Sequence, residues 1–158
     1  MLSVFRESEF CRPGGEILGV EEQLRGGVIS STPDLLGRID LIVESDDNLI
    51  VTDLKTARSR WSEAQALDAG DQLLLYSELV RSLVPGKSVK LRFLIITKTK
   101  TPTIDEHYVP LSPWRLARTK RTVENVWKAI SAGNFFPAPS PMNCPSCPFR
   151  SQCREWTG

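Results

Sequence analysis

The sequence predicts an α/β fold, a mixed β-sheet with helices packed against it. Three observations carry this expectation. Three strand-like segments follow one another with short turns between them, a helical stretch then leads into a strongly apolar fourth strand, and a long helix precedes a proline- and cysteine-rich tail. A chain of 158 residues predicts one domain. That length buries about two-thirds of the unfolded surface.

The elements follow in order. Glu16 to Leu24 (EILGVEEQL) reads as a short strand, closed by the Gly26-Gly27 turn signal. After the SSTPD loop at Ser30 to Asp34, Leu36 to Glu44 (LGRIDLIVE) has apolar and β-branched residues at strand density. The SDDN turn at Ser45 to Asn48 leads to a third strand, Leu49 to Leu54 (LIVTDL), and the three form an antiparallel meander. Ser62 caps a helix whose stripe runs through Leu67, Leu74, Leu75, Leu79 and Val80 and ends at Pro85-Gly86. Val89 to Thr97 (VKLRFLIIT) is a strand with Leu91, Phe93 and Ile95 on one face. His107 to Pro110 forms a short strand, and Pro113 opens a helix that runs to Ala132 and stops at Gly133. No helix is expected ahead of the first strand. From Asn134 the chain is too rich in proline to pack as a regular element, so something else must order it.

Net charge is +1, which excludes a protein that coats nucleic acid by bulk charge. The charges are nevertheless segregated. Arg115, Arg118, Lys120 and Arg121 crowd one segment, Lys98 and Lys100 another, and acidic groups gather between Glu16 and Asp53. Cations beside an acidic pocket suit a phosphate substrate and a metal ion, and solvated surface faces give the same pattern. No apolar run approaches the ~20 residues that span a bilayer. MLSVFRESEF is no signal peptide, and a cytoplasmic location is expected.

Asp40 lies within the second strand, and Asp53-Leu54-Lys55 ends the third. Two apart in an extended segment, Asp53 and Lys55 point to one face, and Leu54 points the other way into a core. Burying two carboxylates with an ammonium is costly unless they pair or bind metal. Two carboxylates and a backbone carbonyl suit Mg²⁺ or Mn²⁺. Such an ion acidifies a bound water and stabilises a charged phosphorane, and Lys55 would orient the water or offset developing charge. Glu21, with Glu22 second, would add a carboxylate. The plainer reading has Asp40 and Asp53 in surface ion pairs with Arg38 and Lys55.

The ordered set G-R-I-D (Gly37 to Asp40), D-L-K-T (Asp53 to Thr56) and Q-L-L-L-Y (Gln72 to Tyr76) resembles the RecB-type branch of the PD-(D/E)XK nucleases. That branch includes the nuclease domains of bacterial recombination helicase–nucleases and CRISPR-associated nucleases of spacer acquisition. The resemblance implies a restriction-endonuclease-like mixed sheet flanked by helices, with a nuclease core over residues 1–135 and a cysteine-rich tail over 136–158. It implies Asp40, Asp53 and the carbonyl of Leu54 as ligands of Mg²⁺ or Mn²⁺. Lys55 is then the catalytic lysine, Glu21 a further carboxylate, and Gln72 and Tyr76 residues that bind DNA or brace the site. Members of the branch often place a metal-binding His on an N-terminal helix. The single His here is His107, so the chain is expected to be an N-terminally truncated piece.

The cysteines are Cys11, Cys144, Cys147 and Cys153, the last three spaced C-x₂-C-x₅-C. Metal binding is the natural reading, and spacing does not separate Zn²⁺ from an iron–sulfur cluster. The resemblance implies a 4Fe–4S cluster held by one early and three late cysteines, which would staple the tail to the core. Cys11 is the only candidate for the early ligand, and an ordinary buried role suits it equally.

The leading function is therefore metal-dependent hydrolysis of DNA phosphodiester bonds, with exonuclease action on single strands or duplex ends. A catalytically degenerate DNA-binding or scaffolding module of a helicase–nuclease complex is the alternative. A zinc-ribbon protein is a third. No GxxxxGK[ST] loop is present, so any motor would be a helicase partner or, in CRISPR adaptation, another protein. Arg115, Arg118, Lys120 and Arg121 are candidates to lie along DNA. The same helix can instead pack Trp114, Leu116, Val123 and Trp127 inward. No base-reading element is apparent, so no sequence specificity is expected.

Overall fold

The structure is a computed structural model that describes residues 2–142 and 144–157. Five strands form one sheet in the order β1(Glu16–Gly26), β2(Leu35–Glu44), β3(Asn48–Ala57), β4(Ser88–Thr97) and β5(Ile104–Val109). β1 to β3 form the expected antiparallel meander, and β4 pairs antiparallel with β5. β3 and β4 run parallel, so the chain between them must cross over the sheet. Two helices make that crossover, α2(Glu63–Ala69) and α3(Asp71–Val80). The sheet is therefore mixed and flanked by helices, as the sequence predicts.

Several elements depart from expectation. The crossover helix is two helices, broken at Gly70. A β-carbon built at Gly70 would lie 2.7 Å from Val109 Cγ1, so the chain turns there against β5 with no room for a side chain. Ser62 caps α2 in a reciprocal capping box with Gln65. Leu67 is exposed, because the stripe does not continue through the break. A short helix α1(Leu2–Glu7) and a 3₁₀ turn at Glu9–Cys11 precede β1, where no helix was expected. The last long helix is α4(Pro113–Ser131), with Ser112 accepting a hydrogen bond from the Arg115 amide. The tail is not wholly loop: a 3₁₀ turn forms at Cys144–Ser146 around Pro145, and α5(Arg150–Glu155) follows the last proline, Pro148. Among the described residues no helix is long and apolar enough to cross a membrane.

The core lies between one sheet face and α3. Ile39, Ile42, Leu49, Val51, Leu91, Phe93 and Ile95 from the strands meet Leu73, Leu74, Leu79 and Val80. On the opposite face Arg92 is buried. Its Nε donates to Thr52 Oγ1 at 2.8 Å, its Nη1 donates to Glu106 at 2.7 Å, and its guanidinium lies 5.5 Å from the Phe10 ring centre. A buried cation persists only when so paired.

α3 packs directly on β2 at Gly37. A β-carbon there would meet Leu79 Cδ1 at 2.6 Å and Tyr76 Cε1 at 2.9 Å. Gly37→Ala is therefore expected to overpack this contact and cost about 1–3 kcal/mol. Urea unfolding should show a lower midpoint at unchanged slope.

Candidate active site

The sheet forks. The β2–β3 ladder stops at Leu41 and Thr52. β2 continues with β1 as far as Leu35, and β3 continues with β4 as far as Ala57. One more step of the β2–β3 register would set Asp40 opposite Asp53. The β1–β2 register brackets Glu21 opposite Asp40, between the pairs Val20–Leu41 and Glu22–Ile39. Glu21, Asp40 and Asp53 thus form one row across three strands, at the position where the strands part.

A fork leaves backbone groups without ladder partners, and these must be satisfied. Asp40 meets the need: its Oδ2 accepts from the Leu54 amide at 2.7 Å. The carbonyl of Leu54 leaves the strand on the same edge as its amide and so opens into the same gap. Leu54 does not point into a closed core as expected. It is half-buried and lines a cleft of about 500 Å³ with Phe5, Phe10, Cys11, Glu21 and Asp40.

Asp53 and Lys55 share a face, as their spacing requires. Lys55 Nζ lies 2.7 Å from Asp53 Oδ2, with the Asp53 side chain only 6% exposed. The Lys55 ammonium is thus the donor beside this buried oxygen. Burial raises the Asp53 carboxyl above its ordinary range, the hydrogen bond and charge of Lys55 pull it back, and the Asp40 charge adds to the rise. Asp40 is in no ion pair among the described residues. Arg38 pairs instead with Glu21, which overturns the plainer reading of the sequence at that position.

The QxxxY element completes the site from α3. Gln72 Nε2 donates to Tyr76 Oη at 2.7 Å, and that hydroxyl donates to the Arg38 carbonyl at 2.7 Å. Burial, with the nearby Asp53 and Asp40 charges, keeps the phenol protonated by raising its pKa. Tyr76 is buried and so braces β2 two residues before Asp40, while Gln72 is exposed beside it.

The donor set fits a hard divalent cation. Asp40 sits in the gap on the Leu54 amide, and Asp53 is near enough to feel its charge, so two carboxylates and the Leu54 carbonyl offer oxygen ligands of the kind such an ion takes. Among the described residues no group of three or more His, Cys, Asp or Glu side chains is arranged to hold a metal, and Glu21 pairs with Arg38.

Other candidates are dispersed. On α4, Arg115 Nε donates to Asp71 at 2.8 Å, and Lys120 pairs with Glu78, so both pin α4 to α3. Arg118 stacks on Trp114, 5.9 Å from its ring centre, and Arg121 is exposed. Trp114 is 72% exposed and not packed inward, whereas Leu116 packs on the core and Val123 and Trp127 are half-buried. The four cysteines are free and half-buried. Cys144 Sγ accepts from the Ser140 amide at 3.1 Å, and Cys11 lines the cleft beside Asp40, with no metal-holding grouping of the four. His107 Nε2 is buried on β5 with no hydrogen-bond partner among the described residues, remote in sequence from the acidic row. Reading single residues missed the fork itself, whose one sequence signal is the acidic residue on both strands at matching distance from the turn.

Asp53 sets a stability signature. Its folded pKa lies above the ordinary 3.8, so the folded chain binds its proton more tightly than the unfolded chain. The contribution of Asp53 to stability is then fully present below 3.8 and is lost as pH rises through the elevated folded value. Asp53→Asn is expected to remove this component and to raise the neutral-pH melting midpoint, by about 2–4 °C per kcal/mol gained. A lower midpoint in the variant at neutral pH, followed by thermal circular dichroism, would count against the burial argument.

No curated protein matches the chain. A candidate exonuclease from Eubacterium rectale matches in crystal structure with TM-score 0.61 and 15% identity, covering 98% of this chain and 57% of that one. The protein SSO0001 matches with TM-score 0.52 and 20% identity, covering 96% of this chain and 64% of that one. The chain thus spans roughly three-fifths of the length of these solved structures, and at such identity they attest the shared fold. The family model of the PD-(D/E)XK nuclease superfamily matches residues 1–154, and the chain belongs to that superfamily.

Proposed function

We propose that this chain is a Mg²⁺- or Mn²⁺-dependent deoxyribonuclease of the RecB-type branch, acting as an exonuclease on single strands or duplex ends in DNA repair, recombination or CRISPR-type processing. The observation that carries this reading is the acidic row at the fork, with the Leu54 carbonyl in the same gap and Lys55 beside Asp53. Asp40, Asp53 and the Leu54 carbonyl would hold the cation, with Glu21 a further carboxylate. A divalent ion there would neutralise phosphate charge and acidify water.

The residues then divide the work. Asp40 keeps its place through the Leu54 amide and through Tyr76, which fixes the carbonyl of Arg38. Lys55 is 39% exposed, so its ammonium can turn from Asp53 toward an attacking water or a phosphate oxygen. Water adds to phosphorus, one ester P–O bond breaks, and a phosphate monoester and a hydroxyl result. Gln72, exposed next to the brace, is placed to touch the substrate strand. Arg118 and Arg121 are better placed than Arg115 and Lys120 to meet phosphates, because the latter two are engaged with α3.

Residues 1–135 form the nuclease core in this reading, and 136–158 an appended tail. Cys144, Cys147 and Cys153 would hold a 4Fe–4S cluster, with Cys11 the early ligand, or else Zn²⁺. A helicase or a CRISPR adaptation protein is the proposed partner. One observation favours a second reading, a non-catalytic DNA-binding or scaffolding module: Glu21 is engaged by Arg38, and two acidic side chains are left for the metal.

Cleavage of single-stranded DNA with Mn²⁺ separates the two. On the nuclease reading the wild type cleaves, and Lys55→Ala retains binding while losing activity by about 10²–10³-fold. Binding without cleavage by the wild type would support the scaffold. For the tail, anaerobic reconstitution with iron and sulfide should give a brown protein absorbing near ~400 nm, whereas colourless protein containing zinc would assign Zn²⁺.

A further inference from the structure

Resting on the nuclease reading, we infer that Arg38 is a phosphate-binding residue of the substrate site, and that Glu21 occupies its guanidinium until DNA and cation arrive. Arg38 and Asp40 are two apart on β2 and share a side of the strand, so the guanidinium projects beside the acidic row. The backbone beneath it is fixed, because Tyr76 donates to its carbonyl. The Arg38 side chain is 63% exposed, and its counterion Glu21 is 55% exposed. A pair this exposed is weak and readily exchanged.

The identity of the counterion is the telling point. Arg60, Arg92 and Arg115 pair with Asp105, Glu106 and Asp71, acids outside the row. Arg38 pairs with the row itself. Glu21 is also the one non-glycine residue among those described with positive φ, at 53°. Backbone held in that sparsely populated region is a form of strain that collects at functional sites. A carboxylate presents two oxygens in the geometry of a phosphate, and Arg reads both bidentately. Glu21 therefore stands where a backbone phosphate of the substrate would sit. A cation that draws Glu21 toward the row frees the guanidinium at the same moment, which couples metal binding to DNA binding.

The test is equilibrium binding of a fluorescent single-stranded oligonucleotide by anisotropy, with EDTA or with Ca²⁺ to limit cleavage. With Ca²⁺, Arg38→Ala should raise Kd about tenfold on every sequence and flatten the salt slope by about 0.7, the loss of one single-strand phosphate contact. Arg38→Lys should recover part of the affinity. With EDTA, Glu21→Gln should bind several-fold tighter than wild type, because the competing charge is gone. Wild-type affinity in Arg38→Ala, or no gain in Glu21→Gln without cation, overturns the assignment. Melting curves exclude unfolding as the cause of a loss. Wild type that cleaves while Arg38→Ala binds normally leaves the nuclease reading standing and removes only Arg38. Wild type that binds no DNA removes both.

Discussion

The hydrogen bond from the Leu54 amide to Asp40 is the constraint on which the site depends. A sheet that parts between β2 and β3 exposes amides and carbonyls that a continuous ladder would pair. Filling the gap with one carboxylate oxygen keeps the fork open at modest cost and fixes the orientation of that carboxylate. Everything nearby follows from the open fork. Asp53 and Lys55 continue along β3 on one face, Glu21 comes alongside on β1, and the Leu54 carbonyl is left facing the gap. The candidate site is therefore a defect in pairing, stabilised locally.

The helical layer holds the defect in place. Gly37 has no side chain, which lets Tyr76 and Leu79 lie directly on β2. Tyr76 then reaches the next carbonyl, that of Arg38, and Gln72 completes the phenol's hydrogen bonding. The glycine of G-R-I-D and the tyrosine of Q-L-L-L-Y are thus two halves of one contact, made by segments that lie far apart in the chain. On α4, Arg115 and Lys120 extend the same logic outward, spending their charge on Asp71 and Glu78 to seat the helix.

Much of this was legible in the sequence, for identifiable reasons. The strands of the meander declared themselves by β-branched density and short polar turns, and the i, i+2 spacing of Asp53 and Lys55 fixed their common face. The helix stop at Gly133 and the cap at Ser62 rest on local chemistry, which a sequence carries in full. What was not legible depends on distant partners. The break at Gly70 is set by Val109 across the sheet. The engagement of Arg115 and Lys120 is set by α3, and the pairing of Arg38 with Glu21 by strand register. The exposure of Trp114 likewise reflects which face of α4 meets the body, which helical period alone does not choose.

Asp40 and Asp53 look equivalent as acidic residues of one row, yet they bear opposite relations to the architecture. Asp40 satisfies an otherwise unpaired amide, whereas Asp53 brings a charge into a place where charge is unwelcome. Relaxed selection would act on them unequally. In a lineage that no longer needed hydrolysis, drift would erase the position on β3 early and retain the one on β2, leaving a lone aspartate in the fork as the fossil of a former catalyst.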